Sequence, residues 1–257
     1  MNNFICKPAA LTGRQHTAHG LLLCAFALLM PGLAAAAGWE IDPVRIELAP
    51  GHQAAAITIK NSTDQATSLQ VQTVAWSQVD GKDVYAPTPD VLVSPPIVTI
   101  APHGEQVIRV ALRRQADTLN ELCYRINLQE LIPPPIAGLT GVQVALRIGL
   151  PLFVQSRTGE AAPKLVWTLK RMSDHTVKVS LQNKGTAHVQ VSDFALYAPG
   201  GSQAMSSETS SSYVLAGQTR EWLLKAGVAS MAPGDHLQLK GFTDGDNLDT
   251  DLVLDKP

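Results

Sequence analysis

Four aspartates near the carboxyl end of the chain form its densest group of potential metal ligands. They are Asp244, Asp246, Asp249 and Asp251. Closely spaced carboxylates are typical of calcium loops, but an EF-hand loop also requires a glutamate at its twelfth position, which this segment lacks. The plainer interpretation is a turn with solvated acids, and we expect no metal here.

The other side chains that could bind a metal or act as a nucleophile are scattered. Five histidines beyond the amino-terminal region lack the short spacing of a metal site; they are His52, His103, His175, His188 and His236. The serine-rich segment 206–212 lacks the G-x-S-x-G context of a catalytic nucleophile. We therefore predict that the protein is not an enzyme and needs no cofactor.

The overall composition excludes further classes of protein. The chain has 257 residues with 20 basic and 22 acidic side chains, a formal charge of −2, and 45% hydrophobic residues. This apolar content is sufficient for packed cores, so global disorder is excluded. A charge close to zero gives no reason to expect nucleic acid as a partner.

The amino-terminal region has the organisation of a secretory signal peptide. Lys7 and Arg14 precede an uninterrupted apolar run at residues 21–30, and Ala35 and Ala37 satisfy the A-x-A requirement for cleavage. The run is shorter than the roughly 20 residues that span a bilayer core, which argues against a membrane anchor. We expect residues 1–37 to be removed after Ala37.

Cys123 is the one cysteine that this cleavage leaves in the chain, since Cys6 and Cys24 lie in the signal peptide. An intramolecular disulfide is then impossible. A reactive thiol needs surroundings that lower its pKa, and Glu121 nearby argues against them. We interpret Cys123 as a small buried hydrophobic residue in a strand.

The elements that carry these residues are short alternating segments separated by turns. They recur about every ten residues and include 54–60, 68–76, 106–112, 164–170 and 176–182. This spacing is typical of β-sandwiches. The polar segment 156–160 is expected to be a linker. We predict an all-β protein with two immunoglobulin-like domains, residues 38–155 and 161–257.

The segment 141–154 is the most informative part of the pattern. One face is entirely aliphatic and contains Val142, Val144, Leu146, Ile148 and Leu150. The run is long for one strand, which typically has about five or six residues. Periodicity leaves two interpretations open, a central strand that faces its own core and a strand whose aliphatic row is offered to another protein.

Several short sequence motifs occur in a fixed order along the chain. They are PVRI at 43–46, IKN at 59–61, SPPI at 94–97 with APHGEQVIR at 101–109, CYRINLQELIP at 123–133, the segment 144–153, and LQNKG at 181–185 with HV at 188–189. Together they resemble the periplasmic pilus-assembly chaperones of the chaperone–usher pathway, the PapD-like family.

This resemblance implies a fold, a function and partners. The two domains of such chaperones are set at an angle, like a boomerang. The chaperone lends a strand to pilus or fimbrial subunits that lack one, and delivers them to an outer-membrane usher. Transferred by position, the donor residues are Val142, Val144, Leu146, Ile148 and Leu150. An added edge strand supplies main-chain hydrogen bonds, and its alternate side chains supply apolar burial. An exposed row would also favour self-association of the free chaperone.

The resemblance also implies two basic residues that bind the carboxyl terminus of the subunit. Arg45 matches the first. Pro151 occupies the position of the second, a lysine, so this anchor is either supplied elsewhere, with Arg147 and Arg125 as the candidates, or dispensed with. Proline has no main-chain donor, so we expect the strand to end or bulge at Pro151. The proline here resembles the archaic, Csu-like branch of the family.

Two further expectations follow from the comparison of motifs. Glu121 matches one residue of an interdomain salt bridge, but Gln155 stands where the family has the arginine. The alternatives to a chaperone on the same scaffold are a secreted adhesin or carbohydrate-binding module, and an enzyme similar to copper–zinc dismutase. The first needs exposed aromatic residues on loops, and the second needs clustered histidines.

Overall fold

The structure is a computed structural model that describes residues 38–132, 144–228, 231–244 and 246–256. Within these ranges the secondary structure consists of eighteen β-strands without helices. A helix that could span a bilayer is accordingly absent from the described part of the chain. The predicted signal peptide and Val142 lie outside the described residues.

The first ten strands form two sheets that face each other. They are β1 (Trp39–Asp42), β2 (Ile46–Leu48), β3 (Ala54–Asn61), β4 (Thr67–Val79), β5 (Lys82–Pro87), β6 (Val91–Ser94), β7 (Ile97–Ile100), β8 (Glu105–Leu112), β9 (Leu122–Leu131) and β10 (Arg147–Val154). One sheet has the order β1-β3-β8-β6, and the other has the order β2-β10-β9-β4-β5 with β7 on β4. We call this unit the N-terminal sandwich.

The core of the N-terminal sandwich follows from the alternation of side chains along its strands. Ile57 and Ile59 of β3 and Ile126 and Leu128 of β9 are almost completely buried. Successive side chains of a strand point to opposite faces, so the residues between them face outward. This two-residue period places the apolar side chains of both sheets in one core.

The last eight strands form a second sandwich with its own core. They are β11 (Leu165–Ser173), β12 (Thr176–Asn183), β13 (Val189–Tyr197), β14 (Ala204–Glu208), β15 (Ser212–Val214), β16 (Thr219–Lys225), β17 (His236–Thr243) and β18 (Asp246–Asp255). β18 pairs antiparallel with β17 and parallel with β11 at Leu169 and Lys170, which connects the two layers. We call this unit the C-terminal sandwich; its core includes Val177, Phe194 and Leu239.

The prediction of an all-β protein with two immunoglobulin-like sandwiches is confirmed. The limits proposed for the two domains stay predictions. The strand expected over residues 141–154 is shorter in the described part of the chain, where β10 begins only at Arg147. Leu146 ends the regular ladder because its main-chain N–H is bonded to the Glu130 side chain rather than to a main-chain carbonyl.

Pro151 neither ends nor bulges the strand, so that prediction was wrong. β10 continues through Pro151 to Val154, and Pro151 lies directly opposite Arg125 of β9. The main-chain nitrogen of Pro151 faces away from β9, toward the side on which β2 begins to pair only at Leu152. No ladder hydrogen bond is therefore lost, and a proline is tolerated at such an edge position.

Candidate functional site

The first half of β10 has one paired edge and one open edge. Glu130 of β9 donates its N–H to the carbonyl of Leu146 over 2.9 Å. Because opposed residues alternate between bonded and non-bonded pairs, Ile148 also bonds to β9, whereas the main-chain groups of Arg147 and Gly149 point the other way. Among the described residues no strand pairs with that other edge before Leu152. On this side the Arg147 N–H and carbonyl and the Gly149 N–H are available to another strand, whereas the Gly149 carbonyl accepts from Arg125 and Pro151 has no N–H. We call this side of β10, from Arg147 to Pro151, the open edge.

The aliphatic row beside the open edge passes gradually from solvent into the core. Val144 is 75% exposed, Leu146 and Ile148 are partly buried, and Leu150 is only 3% exposed. Ile148 packs against the core of the N-terminal sandwich, and Leu150 is part of that core. The end of the row therefore belongs to the core of its own domain, and its beginning projects from the sandwich.

Arg45 lies immediately before β2 and reaches across to the C-terminal sandwich. Its Nε is 2.9 Å from Oε1 of Glu47, and its Nη1 is 3.3 Å from Oδ1 of Asp244. Nη1 also donates to the Gln190 side chain over 3.4 Å. The side chain keeps 36% of its surface exposed. Arg45 is thus held by two carboxylates but remains accessible to a further one.

Arg125 crosses over β10 beside the open edge. Its Nη1 donates to the carbonyl of Gly149 over 3.1 Å, and its guanidinium lies 4.0 Å from the centre of the Trp76 ring. Its buried Nε has no hydrogen-bond partner among the described residues. The cation–π contact fixes a charged fork next to the position of Pro151.

Tyr213 of the C-terminal sandwich lies beside both arginines. Its ring centre is 5.8 Å from the Arg125 guanidinium, and burial raises the pKa of its hydroxyl, while Arg45 and Arg125 lower it in part. Two of the three predicted basic residues are therefore brought to one tyrosine. Arg147, the third, is exposed on β10 opposite Gln129.

Glu121 makes its contact between the sandwiches with a histidine rather than with an arginine. Its Oε2 lies 2.6 Å from Nδ1 of His188 and accepts the His188 main-chain N–H over 2.9 Å. The His188 ring stacks on Phe153 with ring centres 3.4 Å apart and planes 7° apart. The partner of Glu121 is thus His188, which lies 67 residues later in the chain, and not the residue at position 155.

A small aromatic cluster joins the two sandwiches around this contact. Trp76, Phe153 and Leu215 are buried together, and Cys123 and Tyr213 pack against them. Gln78 extends the contact, since its side chain accepts from the Leu215 N–H and donates to the Tyr213 carbonyl, both over 3.0 Å. Hydrogen bonds and apolar contacts thus fix Tyr213 beside β10.

The Cys123 thiol belongs to this cluster and is partly buried. Burial raises its pKa, and the adjacent Glu121 carboxylate raises it further. The thiolate is therefore strongly disfavoured, as expected for a thiol that fills space.

The aspartates and histidines do not assemble into a site in the described residues. Asp244 accepts the Gln190 N–H over 2.9 Å, and Asp249 accepts from Gln238 over 2.9 Å. Asp249 also lies 3.9 Å from Lys240. No group of three or more possible metal ligands lies together within the described ranges.

Several residues of the site were not found by reasoning from the sequence. Trp76 and Tyr213 position Arg125, and Glu130 and Trp39 hold the start of the aliphatic row. A carboxylate at the core-facing position of an otherwise apolar strand was the available signal for Glu130. No comparable signal exists for Tyr213, because its contacts depend on how the two sandwiches meet.

Comparison with known proteins gives a consistent assignment. Residues 38–158 match the family model described as pili and flagellar-assembly chaperone, PapD N-terminal domain. No curated protein sequence matches the chain significantly. Among solved structures, the CsuC–CsuE chaperone–tip adhesion subunit pre-assembly complex of Acinetobacter baumannii archaic Csu pili is 20% identical, with a TM-score of 0.61. The match covers 86% of this chain and 100% of the chain in that structure.

Two further structures share the same fold. The Pseudomonas aeruginosa CupB2 chaperone is 17% identical, covers 84% of this chain and 100% of its own, and has a TM-score of 0.55. The Salmonella enterica SafA pilin–SafB chaperone complex gives 14% identity, coverage of 85% and 96%, and a TM-score of 0.56. Residues 38–158 therefore match the model of the N-terminal domain of PapD-type pilus-assembly chaperones, and the described chain has the all-β, two-domain fold of these chaperones.

Proposed function

We propose that this protein is a chaperone that captures pilus or fimbrial subunits by donating the open edge of β10. The observation that carries the proposal is the combination of the main-chain N–H groups of Arg147 and Gly149, which no described strand pairs with, and the projecting aliphatic row beside them. A solved relative in complex with a pilin supports it. Strand addition of this kind uses main-chain bonds for affinity and alternate side chains for specificity.

The magnitude of the expected burial is sufficient for tight capture. Burial of one aliphatic side chain contributes roughly 1.5–3 kcal/mol. Val144, Leu146 and Ile148 are the described donors that still have surface to bury, and Val142 is proposed as the donor before them. Leu150 is already part of the core, and there it fixes the strand on which the others stand.

We further propose that Arg45 and Arg125 bind the terminal carboxylate of the subunit. Both lie beside Tyr213, and Arg125 presents a planar fork next to Pro151. A planar guanidinium binds a carboxylate through two parallel hydrogen bonds, which fixes the register of the added strand. Arg147 stands at the open edge itself and is the remaining candidate.

The match to the PapD N-terminal domain model supports a cellular setting for the proposal. Residues 1–37 would direct the chain to the periplasm and be removed there, and an outer-membrane usher would receive the loaded chaperone. The function requires neither a catalytic step nor a cofactor. The exposed aliphatic row would favour self-association of the free chaperone at high protein concentration. The proline at position 151 supports an assignment to the archaic, Csu-like branch.

The proposal is tested by a paired substitution in the row. The double variant Val144→Glu with Leu146→Glu places two charges where apolar side chains would enter a subunit, so capture should be lost. Tagged wild-type and variant chains are isolated from the native periplasm, and copurifying proteins are identified by mass spectrometry. We expect a small β-rich subunit with the wild type and none with the variant.

A matched control separates this effect from a general effect of charge. The variant Leu223→Glu with Val253→Glu changes exposed residues of the C-terminal sandwich and should capture the subunit normally. The proposal is wrong if the variant in the row still binds the subunit. Retention of the wild type on a glycan column without a subunit would instead favour the adhesin alternative.

A further inference from the structure

Glu130 holds the start of β10 through both its main chain and its side chain. Its N–H donates to the Leu146 carbonyl over 2.9 Å, and its Oε2 accepts the Leu146 N–H over 2.9 Å. In a regular ladder the second of these bonds would go to the Glu130 carbonyl. The carboxylate thus replaces a main-chain acceptor where β10 begins.

The other oxygen of this carboxylate is occupied by the first strand of the chain. Nε1 of Trp39 donates to Oε1 of Glu130 over 2.6 Å. Trp39 pairs with Asn61 in the four-stranded sheet, whereas Glu130 belongs to the six-stranded sheet, so this bond connects the two layers of the sandwich. Trp39 also packs against the core.

The position of Glu130 explains why both bonds are needed. Ile126 and Leu128 precede it on the core-facing side of β9, so the alternation directs the Glu130 carboxylate to the same side. Glu130 is partly buried, and withdrawing a carboxylate from water is costly unless donors satisfy its oxygens. Trp39 and Leu146 each donate to one oxygen of this carboxylate. The bond from Trp39 thus orients the oxygen that accepts from Leu146.

We propose that Glu130 is a positioning residue that fixes the point at which the donor segment leaves its own sheet, and that Trp39 orients its carboxylate. This inference rests on the proposed function of β10. Leu146 is bonded at both its N–H and its carbonyl. These two bonds keep the side chains of Leu146 and Val144 in one register beside the open edge. A subunit then meets a row that is already ordered, and less conformational entropy is lost on capture.

We call the bonds of the Glu130 carboxylate to Trp39 and Leu146 the clasp. Substitution of Glu130 by glutamine distinguishes a role of the clasp in positioning from a general contribution to stability. The amide of Glu130→Gln has one acceptor oxygen and one donor group, so it cannot accept from both Trp39 and Leu146. The shorter bond, from Trp39 at 2.6 Å, should keep the oxygen, which leaves the amide donor against the Leu146 N–H. The additional change Trp39→Phe removes one of the two donors. The glutamine oxygen is then free for the Leu146 N–H, and the double variant should regain the bond that the single variant loses.

The measurement is hydrogen exchange of individual main-chain amides in the free full-length mature chain, followed by NMR. We expect the Leu146 amide to exchange at least about tenfold faster in Glu130→Gln, the effect of losing a hydrogen bond to a charged group. In the double variant the exchange rate of the Leu146 amide should return most of the way to the wild-type rate. The Ile148 amide, which bonds to the β9 main chain, should change less than about twofold in every variant.

Any other pattern overturns the proposal. This includes an unchanged Leu146 amide in Glu130→Gln, a rise that Trp39→Phe does not reverse, and an equal rise at Ile148. Capture of the subunit that copurifies with the wild type should fall in Glu130→Gln and recover in the double variant; a fall without recovery also overturns it.

The test separates the clasp from the proposed function. If Val144→Glu with Leu146→Glu leaves capture intact, the donor function is wrong whatever the exchange of Leu146 shows. If capture depends on Val144 and Leu146 but exchange of Leu146 is indifferent to Glu130→Gln, only the clasp is wrong.

Discussion

At the scale of single residues, Arg125 and Glu130 of β9 show how charged side chains can position the aliphatic strand β10. Arg125 is held over β10 by the Trp76 ring and by the Gly149 carbonyl, which leaves its charge beside Pro151. Glu130 is held by Trp39 and in turn holds Leu146. In both cases an aromatic side chain determines where the charged group lies.

Arg125→Ala should weaken subunit capture by about tenfold or more, because a charge-assisted bidentate contact is lost. Arg125→Lys should restore only part of it, since lysine retains the charge but not the planar fork. Titration of each variant with the copurified subunit measures the effect. Arg109→Ala, on the exposed face of β8, is the control and should bind normally. Equal affinity of Arg125→Ala and the control would exclude Arg125 as an anchor.

At the scale of elements, β10 is a strand with two different edges. Its even-numbered residues bond to β9, and its odd-numbered residues from Arg147 to Pro151 direct their main-chain groups to the open edge. Pro151 is compatible with this arrangement because the donor that it lacks belongs to the open edge. Proline at other positions of β10 should therefore be tolerated or not according to the edge to which its missing donor belongs.

Arg147→Pro should remove one donor from the open edge without breaking the pairing with β9. We expect a loss of subunit capture of about tenfold and a change in the free energy of unfolding below about 1 kcal/mol. Ile148→Pro removes a donor bonded to β9 and should cost about 2 kcal/mol or more. Chemical denaturation compares the two variants. Equal destabilisation by both would contradict the assignment of edges.

The alternation of residues 141–154 predicted the aliphatic row, since a period of two is a local property of a strand. It did not predict where the strand leaves its sheet, because that depends on the Glu130 side chain, which lies 16 residues before Leu146 in the chain. The effect of Pro151 was also predicted wrongly. Proline removes a donor at any position, but only the pairing of neighbouring strands shows whether that donor is used.

At the scale of the whole molecule, the two sandwiches are joined by a compact set of polar and aromatic contacts. The Glu121 carboxylate accepts hydrogen bonds from both the ring and the main-chain N–H of His188. The His188 ring stacks on Phe153 of β10. The motifs indicated that Glu121 would need a partner, but not which residue supplies it. Such a partner becomes visible only once the C-terminal sandwich is placed.

His188→Ala should lower the free energy of unfolding by about 2 kcal/mol, because the nearly buried Glu121 carboxylate loses its side-chain partner. Adding Glu121→Gln should recover part of this loss, since a neutral amide is less costly to bury than an unpaired charge. Chemical denaturation provides the values, with the exposed His236→Ala as the control. A His188→Ala variant as stable as this control would show that the contact contributes nothing.

Hydrogen exchange at the open edge, compared between the free chain and its complex with the copurified subunit, tests the central claim most directly. The main-chain amides of Arg147 and Gly149 should exchange rapidly in the free chain and be protected at least about tenfold in the complex, whereas Ile148 should be protected in both. If Arg147 and Gly149 exchange at the same rates with and without bound subunit, β10 does not donate its edge.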